Sequence, residues 1–140
     1  MPEVYEPQED SYLMLPFVRQ FATGNVLDMG TGSGILALTA SKLCDFVFAA
    51  DINEDALSYA TDAAKRAKIE NIRFVYSDLF SYFQTGSWLF DLIIFNPPYL
   101  PADLVEPEEV KLITTGGKKG YELLDKFFSQ CSRFLKPDGK

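Results

Sequence analysis

Val26-Leu27-Asp28-Met29-Gly30-Thr31-Gly32-Ser33-Gly34 passes from an apolar run, through a glycine turn, into a segment with helical periodicity. Asn25 to Met29 reads as a strand. Ser33 to Leu43 reads as a helix, with apolar residues at Ile35, Leu36, Leu38 and Leu43. Glycine allows a tight turn and close approach of a ligand to the backbone. Ser33 can cap the helix, whose N-terminus presents free N–H groups. A strand feeding a helix in this way is the first half of a βαβ unit.

The pattern repeats outward from this stretch. Asp45 to Ala50 reads as a second strand and Glu54 to Lys68 as a long helix. Ile72 to Tyr76 reads as a third strand, Leu89 to Phe95 as a fourth, and Gly120 to Leu135 as a last helix. Tyr12 to about Ala22 reads as a helix interrupted or bent near Pro16. Residues 97–117 read as a long loop rich in proline, glycine and acids. Alternating strands and helices with right-handed crossovers give an α/β fold, a Rossmann-like doubly wound, mostly parallel sheet. One domain over residues 1–140 is expected, with a helical segment at 1–23 and a core at 24–140. Leu135-Lys136-Pro137-Asp138-Gly139-Lys140 is a turn that normally feeds another apolar run. The domain is therefore expected to be truncated or abbreviated before a fifth strand, or to have the edge of its fourth strand covered by a partner.

Composition removes several function classes. The 140 residues contain no histidine. A Ser-His-Asp triad, an H-E-x-x-H zinc site and a histidine general base are thereby excluded. Cys44 and Cys131 fit no metal or disulfide spacing and read as small core residues in a reducing cytosol; no metal site is expected. No run of about 18 apolar residues suggests a membrane span, and Met1 to Tyr5 lacks the features of a signal peptide. The net charge is −7. Lys65-Arg66-Ala67-Lys68 ends a helix, where cations suit the helix dipole. It reads as a solvated helix end and not as a nucleic-acid surface.

Alone, the glycine loop leaves its ligand open. G-x-G serves structural turns and NAD sites as well as S-adenosylmethionine (AdoMet) sites. G-T-G-S-G departs from the spacing G-x-G-x-x-G, and AdoMet lacks the pyrophosphate that dinucleotide enzymes set on the helix N-terminus. Asp51 closes the second strand, where an acid can accept from both ribose hydroxyls of an adenosine. Ser77-Asp78-Leu79 follows the third strand. Asp78 there can accept from an adenine amino group and Leu79 can cover the ring, or the segment can be an ordinary strand-end turn.

Asn96-Pro97-Pro98-Tyr99 follows the apolar run Phe90 to Phe95, at the strand end where open α/β sheets place their chemistry. Two prolines remove two N–H donors and stiffen the turn. Carbonyl oxygens and one amide side chain remain as acceptors, with an aromatic ring beside them. Such a cradle suits a planar –NH2 group, and it tips the cofactor reading to AdoMet. Asn96 could instead be an Asx turn residue before proline; its place after a buried strand favours a catalytic role.

The motif resembles the N-P-P-Y signature of methyltransferases acting on amide or exocyclic amine nitrogens. With Asp28-Met29-Gly30-Thr31-Gly32-Ser33-Gly34, the chain resembles class I AdoMet-dependent methyltransferases. The finer resemblance is to the HemK/PrmC-like protein-glutamine N5-methyltransferases, in their short eukaryotic and archaeal branch. It is carried by Val4-Tyr5-Glu6-Pro7-Gln8-Glu9-Asp10-Ser11, similar to a Y-x-P-x-E-D-[ST] segment, and by Gly116-Gly117-Lys118-Lys119-Gly120. The lysine pair departs from the less basic pair more frequent in that family. The resemblance implies that Ser11, Gly30 and Gly32 approach the cofactor and that Asp28 lies near its methionine moiety. It also implies that Asp51 holds the ribose, Asp78 and Leu79 hold the adenine, and Asn96 bridges cofactor and substrate. It implies as substrate the glutamine in the Gly-Gly-Gln loop of a class I release factor, acted on in the cytoplasm. A small zinc-binding activator protein is implied as a heterodimer partner at the strand edge Ile72 to Tyr76.

In the mechanism expected from these residues, Asn96 Oδ1 and the Pro97 carbonyl accept the two N–H groups of the glutamine amide, and Tyr99 packs on its plane. Positioning of this kind supplies up to about 7–11 kcal/mol in the best cases. The rival readings are an adenine-N6 or guanine-N2 nucleic-acid methyltransferase, against which the acidic charge counts, and a non-catalytic AdoMet-binding subunit.

Overall fold

The computed structural model of the chain describes residues 9–84, 88–96 and 120–140. The glycine loop leaves the end of strand β1 (Asn25–Met29), which pairs in parallel with β2 (Phe46–Asp51) on one side and β4 (Leu92–Phe95) on the other. β3 (Ile72–Tyr76) pairs in parallel with β2, giving a four-stranded sheet in the order β3-β2-β1-β4. β1 is buried from Val26 to Met29 because it is central and covered on both faces.

Strand alternation divides the core in two. Val26, Val47, Ala49, Leu92 and Ile94 pack under helices α1 (Glu9–Phe21) and α2 (Ile35–Ser41), against Leu15, Val18, Leu36, Ala37 and Ala40. Leu27, Met29, Ala50, Val75 and Phe90 face the other way. They meet Phe80 and Phe83 of the turn after β3, Phe127 of α4 (Gly120–Cys131), and Phe134. Phe80 is fully buried and stacks on Phe134, with ring centroids 4.7 Å apart and planes within 4°. Helix α3 (Glu54–Arg66) lies beside α2: a Cβ added at Gly34 would stand 2.9 Å from Ala60 Cβ.

Several boundaries differ from the sequence expectation, each for a visible reason. α1 runs through Pro16 as one helix. Ser33 does not cap α2. Gly34 takes the N-cap position at φ +88°, and Ser33 Oγ accepts only a long 3.4 Å bond from Ile35 N. β2 extends to Asp51 because Asp51 still pairs with Tyr76. α3 stops at Arg66, where Lys68 turns to φ +60° and closes the helix end. The last helix ends at Cys131, and Ser132–Phe134 tighten into a 3-10 turn.

β4 begins at Leu92 and not Leu89. Asp91 turns its carboxylate away to accept from Asn25 N at 2.8 Å and from Lys136 Nζ at 3.1 Å. That carboxyl is held below its ordinary range by the Asn25 N–H and the Lys136 ammonium. Backbone bonds continue along this side of the sheet. Phe90 N donates to Phe134 O, Lys136 N to Phe90 O, Lys140 N to Asp91 O, and Ile93 N to Lys140 O. Lys140 therefore already sits in strand-like pairing on the outer edge of β4.

Candidate cofactor and catalytic site

Strand order reverses at β1. β2 and β3 lie on one side of it and β4 on the other. In open α/β sheets the crevice at this switch point, beyond the strand C-termini, is where ligands bind. Met29 is the register partner of Phe95, so Gly30 and Asn96 leave adjacent strand ends at that crevice.

The glycine loop is tied down along its length. Ala50 O accepts from Gly30 N at 2.8 Å and Thr31 N at 2.9 Å. Gly32, at φ +54°, adopts a conformation that side chains with a Cβ rarely take. Its N–H donates to Asp51 Oδ2 at 2.9 Å. A Cβ added at Gly30 or Gly32 would meet nothing within 4 Å, so open space lies against both.

Asp28 points toward the first turn of α2 and is 1% exposed. Its Oδ2 accepts from Thr31 Oγ1 at 2.8 Å, while Oδ1 has no hydrogen-bond partner among the described residues. Burial pushes this carboxyl up to about 7; the Thr31 bond opposes the shift, the Asp51 charge adds to it, and the Ala37 N–H gives only a slight lowering. An orphaned buried carboxylate oxygen beside an open glycine cradle fits a cationic ligand.

Asp51 joins three segments. Oδ2 takes the Gly32 N–H, Oδ1 takes the Asn53 N–H at 2.9 Å, and Asp51 O accepts from Ser77 N at 3.0 Å. A carboxylate has about four lone-pair sites, so each oxygen keeps capacity for a ribose hydroxyl. Asn53 Oδ1 caps α3 by accepting from Asp55 N and Ala56 N.

The bond from Ser77 to Asp51 brings the third acid alongside. Asp78 is exposed, and its N–H donates to Ser81 Oγ at 2.9 Å. Leu79 sits at φ +51°, with its side chain half-buried against the second core cluster. Ser77 Oγ stabilises this unusual turn by donating to Leu79 O and accepting from Tyr82 N at 3.0 Å.

Ser11 and Asn96 meet across the crevice: Asn96 Nδ2 donates to Ser11 Oγ at 3.2 Å. The structure thus gathers Ser11, Asp28, Gly30, Gly32, Asp51, Asp78 and Asn96 around the C-terminal ends of the strands. Pro97 and Tyr99 lie outside the described residues.

Two residues of this region escape sequence reading. Thr31 is buried and donates to Asp28, and the spacing of three between them was the available signal. Ile52 is 56% exposed in a shallow depression lined also by Asn53, Glu54, Asp55 and Tyr76. An apolar residue directly after a strand-ending acid, with no burial to explain it, suits contact with a flat ring. Among the described residues no cluster of His, Cys, Asp or Glu could hold a metal ion, and no helix is long and apolar enough to cross a membrane.

The methyltransferase small-domain pattern matches residues 7–140. A protein of Methanocaldococcus jannaschii, provisionally named a protein N5-glutamine methyltransferase, is 40% identical over 99% of this chain and 70% of its own length. The release factor glutamine methyltransferase of Koribacter versatilis is 33% identical over 99% of this chain, which spans only 53% of that protein. Methyltransferase HEMK2 of Homo sapiens is 29% identical over 98% of this chain and 69% of its own length. The crystal structure of ribosomal protein L11 methylase from Lactobacillus delbrueckii superposes with a TM-score of 0.70 at 25% identity, over 99% of this chain and 61% of that one. The chain belongs to the methyltransferase small-domain family, and the relatives it matches over nearly its whole length include protein-glutamine N5-methyltransferases.

Proposed function

We propose that this chain uses AdoMet to methylate the side-chain amide nitrogen of the glutamine in the Gly-Gly-Gln loop of a class I release factor. The observation that carries the reading is the placement of Asn96. It follows the buried strand β4, opens onto the switch-point crevice beside Gly30, and is anchored by Ser11. The names of the relatives, release factor glutamine methyltransferase among them, supply the substrate class.

Bound AdoMet supplies a methyl group on a sulfonium that departs with its own bonding pair. The protein's task is then to aim a weak nucleophile, an amide nitrogen whose lone pair is delocalised into its carbonyl. Asn96 gives an Nδ2 hydrogen to Ser11, and its Oδ1 serves as the acceptor for the substrate amide. A substrate amide N–H donating to Oδ1 fixes the nitrogen in place and raises its electron density, and the proton the nitrogen loses on gaining the methyl passes to solvent. Pro97 and Tyr99 keep in this proposal the parts the resemblance gives them, a second acceptor and a packing surface. Asp51 accepts from the ribose hydroxyls, Asp28 faces the methionine end, and Asp78 with Leu79 serves the adenine.

A small zinc-binding activator protein at β3 belongs to the same proposal. β3 ends the sheet order, so one edge of Ile72–Tyr76 has no strand neighbour among the described residues. An added strand would satisfy that edge. A substrate engaged in translation places the reaction in the cytoplasm.

The test is transfer of labelled methyl from AdoMet, with the zinc-binding protein present. The acceptors are a release factor carrying Gly-Gly-Gln, its Gln→Ala variant, and duplex DNA. Label on the factor and not on its variant is the expected result. Label on DNA, or on both forms of the factor, would overturn the proposal.

A further inference from the structure

Asp28 is a buried carboxyl with an incomplete set of partners. It is 1% exposed, its Oδ1 is orphaned, and the neutral hydroxyl of Thr31 is the partner of Oδ2. The elements packed around it bring no cation. Its register partners are Ala49 on β2 and Ile94 on β4. α2 presents the N–H of Ala37, and the charged group that acts on Asp28 is another carboxylate, Asp51. An ionised carboxylate in this position has burial and a like charge against it, and no positive charge among the described residues offsets either. The proton is the one counter-charge available to it while the crevice is empty.

We propose that Asp28 is protonated in the ligand-free site and surrenders its proton when the cationic end of AdoMet enters the crevice, so that cofactor binding releases a proton. This rests on the AdoMet reading above and adds a charge rule to it. The methionine end of AdoMet carries an ammonium and a sulfonium. Placed against Oδ1, these charges supply the attraction the buried carboxylate lacks, and the ionised form becomes the favoured one. The proton passes to solvent, and no covalent bond is made or broken. Near neutral pH the site thereby selects ligands that bring positive charge to Asp28. S-adenosylhomocysteine, which lacks the sulfonium charge, draws the proton off less completely. The raised titration range of Asp28, up to about 7, agrees with this assignment and places the exchange close to neutral pH.

The test is titration calorimetry of the protein with AdoMet at pH 6.5, in a series of buffers that differ in heat of ionisation. At this pH the amino group of AdoMet is protonated both free and bound, so it adds no proton exchange of its own. The slope of binding heat against buffer heat should show net proton release, the larger part of one proton per AdoMet. At pH 9 it should give way to uptake, because free AdoMet is then largely the neutral amine and binds as the ammonium; at pH 6.5 the release should be smaller for S-adenosylhomocysteine. Carbon NMR of the Asp28 carboxyl gives an independent readout that needs no variant. It should titrate near neutral pH in the free protein and only at acid pH in the saturated one. Binding at pH 6.5 with no proton release, or with uptake, overturns this inference and leaves the cofactor reading intact. Absence of any AdoMet binding overturns both.

Discussion

Asn96 and Ser11, 85 residues apart in sequence, are joined by a 3.2 Å hydrogen bond from Asn96 Nδ2 to Ser11 Oγ. The bond links the end of β4 to the helix that opens the described structure and restrains the Asn96 amide at the crevice. A side chain that must present a fixed acceptor gains from such an anchor, since a misdirected amide would offer the substrate two donors where it needs an acceptor.

Ser11→Ala should therefore slow methyl transfer without abolishing it. Loss of one hydrogen bond worth about 1 kcal/mol corresponds to roughly a fivefold loss in rate. The effect should fall on the single-turnover rate at saturating substrate. A variant with wild-type single-turnover kinetics would show that Ser11 does not orient Asn96.

Asp28→Asn should trade function for stability. The wild-type carboxyl titrates at about 7 in the fold, against 3.8 as the reference for the unfolded chain. Between those values the native state holds more protons than the unfolded one, so stability falls as pH rises from about 4 to about 7. The cost is absent below that window and complete above it, on the order of 4 kcal/mol at most. Asn can keep the Thr31 bond and carries no charge. Chemical denaturation should show the variant gaining on wild type as pH rises to 8, while its AdoMet affinity drops. Parallel pH profiles for the two proteins would refute the assignment of a raised Asp28.

Lys68→Gly should stabilise the domain and leave the chemistry alone. Lys68 follows the C-cap of α3 at φ +60°. Ile69 N donates to Ala64 O and Lys68 N to Lys65 O, the two bonds that close a helix in a Schellman motif. Glycine takes this conformation without the strain of a Cβ, a gain of about 1 kcal/mol. Thermal melting checks the sign; a lower midpoint would count against it.

Phe80→Ala should cost about 3–5 kcal/mol. Phe80 is fully buried, stacked on Phe134 and lying 5.4 Å from Phe127, so no neighbour can readily fill the space. Denaturant titration measures it, and a loss below about 1 kcal/mol would show that the aromatic cluster repacks.

The sheet could be read from the sequence because its strands are apolar runs broken by turn residues. β1 and β3 fall at the residues expected, Asn25–Met29 and Ile72–Tyr76. What could not be read was set by partners distant in sequence. Asp91 looks like part of a strand until Asn25 N and Lys136 Nζ claim its carboxylate. Ser33 looks like a cap until Gly34, pressed against Ala60, takes that place. Asp51 and Asn96 stand at strand ends, where the sequence put them, and Asp28 lies within β1 just before the glycine loop. The pairing of Asn96 with Ser11 and the exposure of Ile52 depend on tertiary packing that no local spacing encodes.

The measurement that tests the account most directly is the rate of methyl transfer by Asn96→Ala, at saturating AdoMet and saturating release factor. Asn96 is the acceptor that aims the substrate amide, so its loss should lower the transfer rate by about 100-fold or more while circular dichroism and melting stay near wild type. Turnover within a fewfold of wild type would contradict the account, since the amide nitrogen would then be positioned by something other than Asn96.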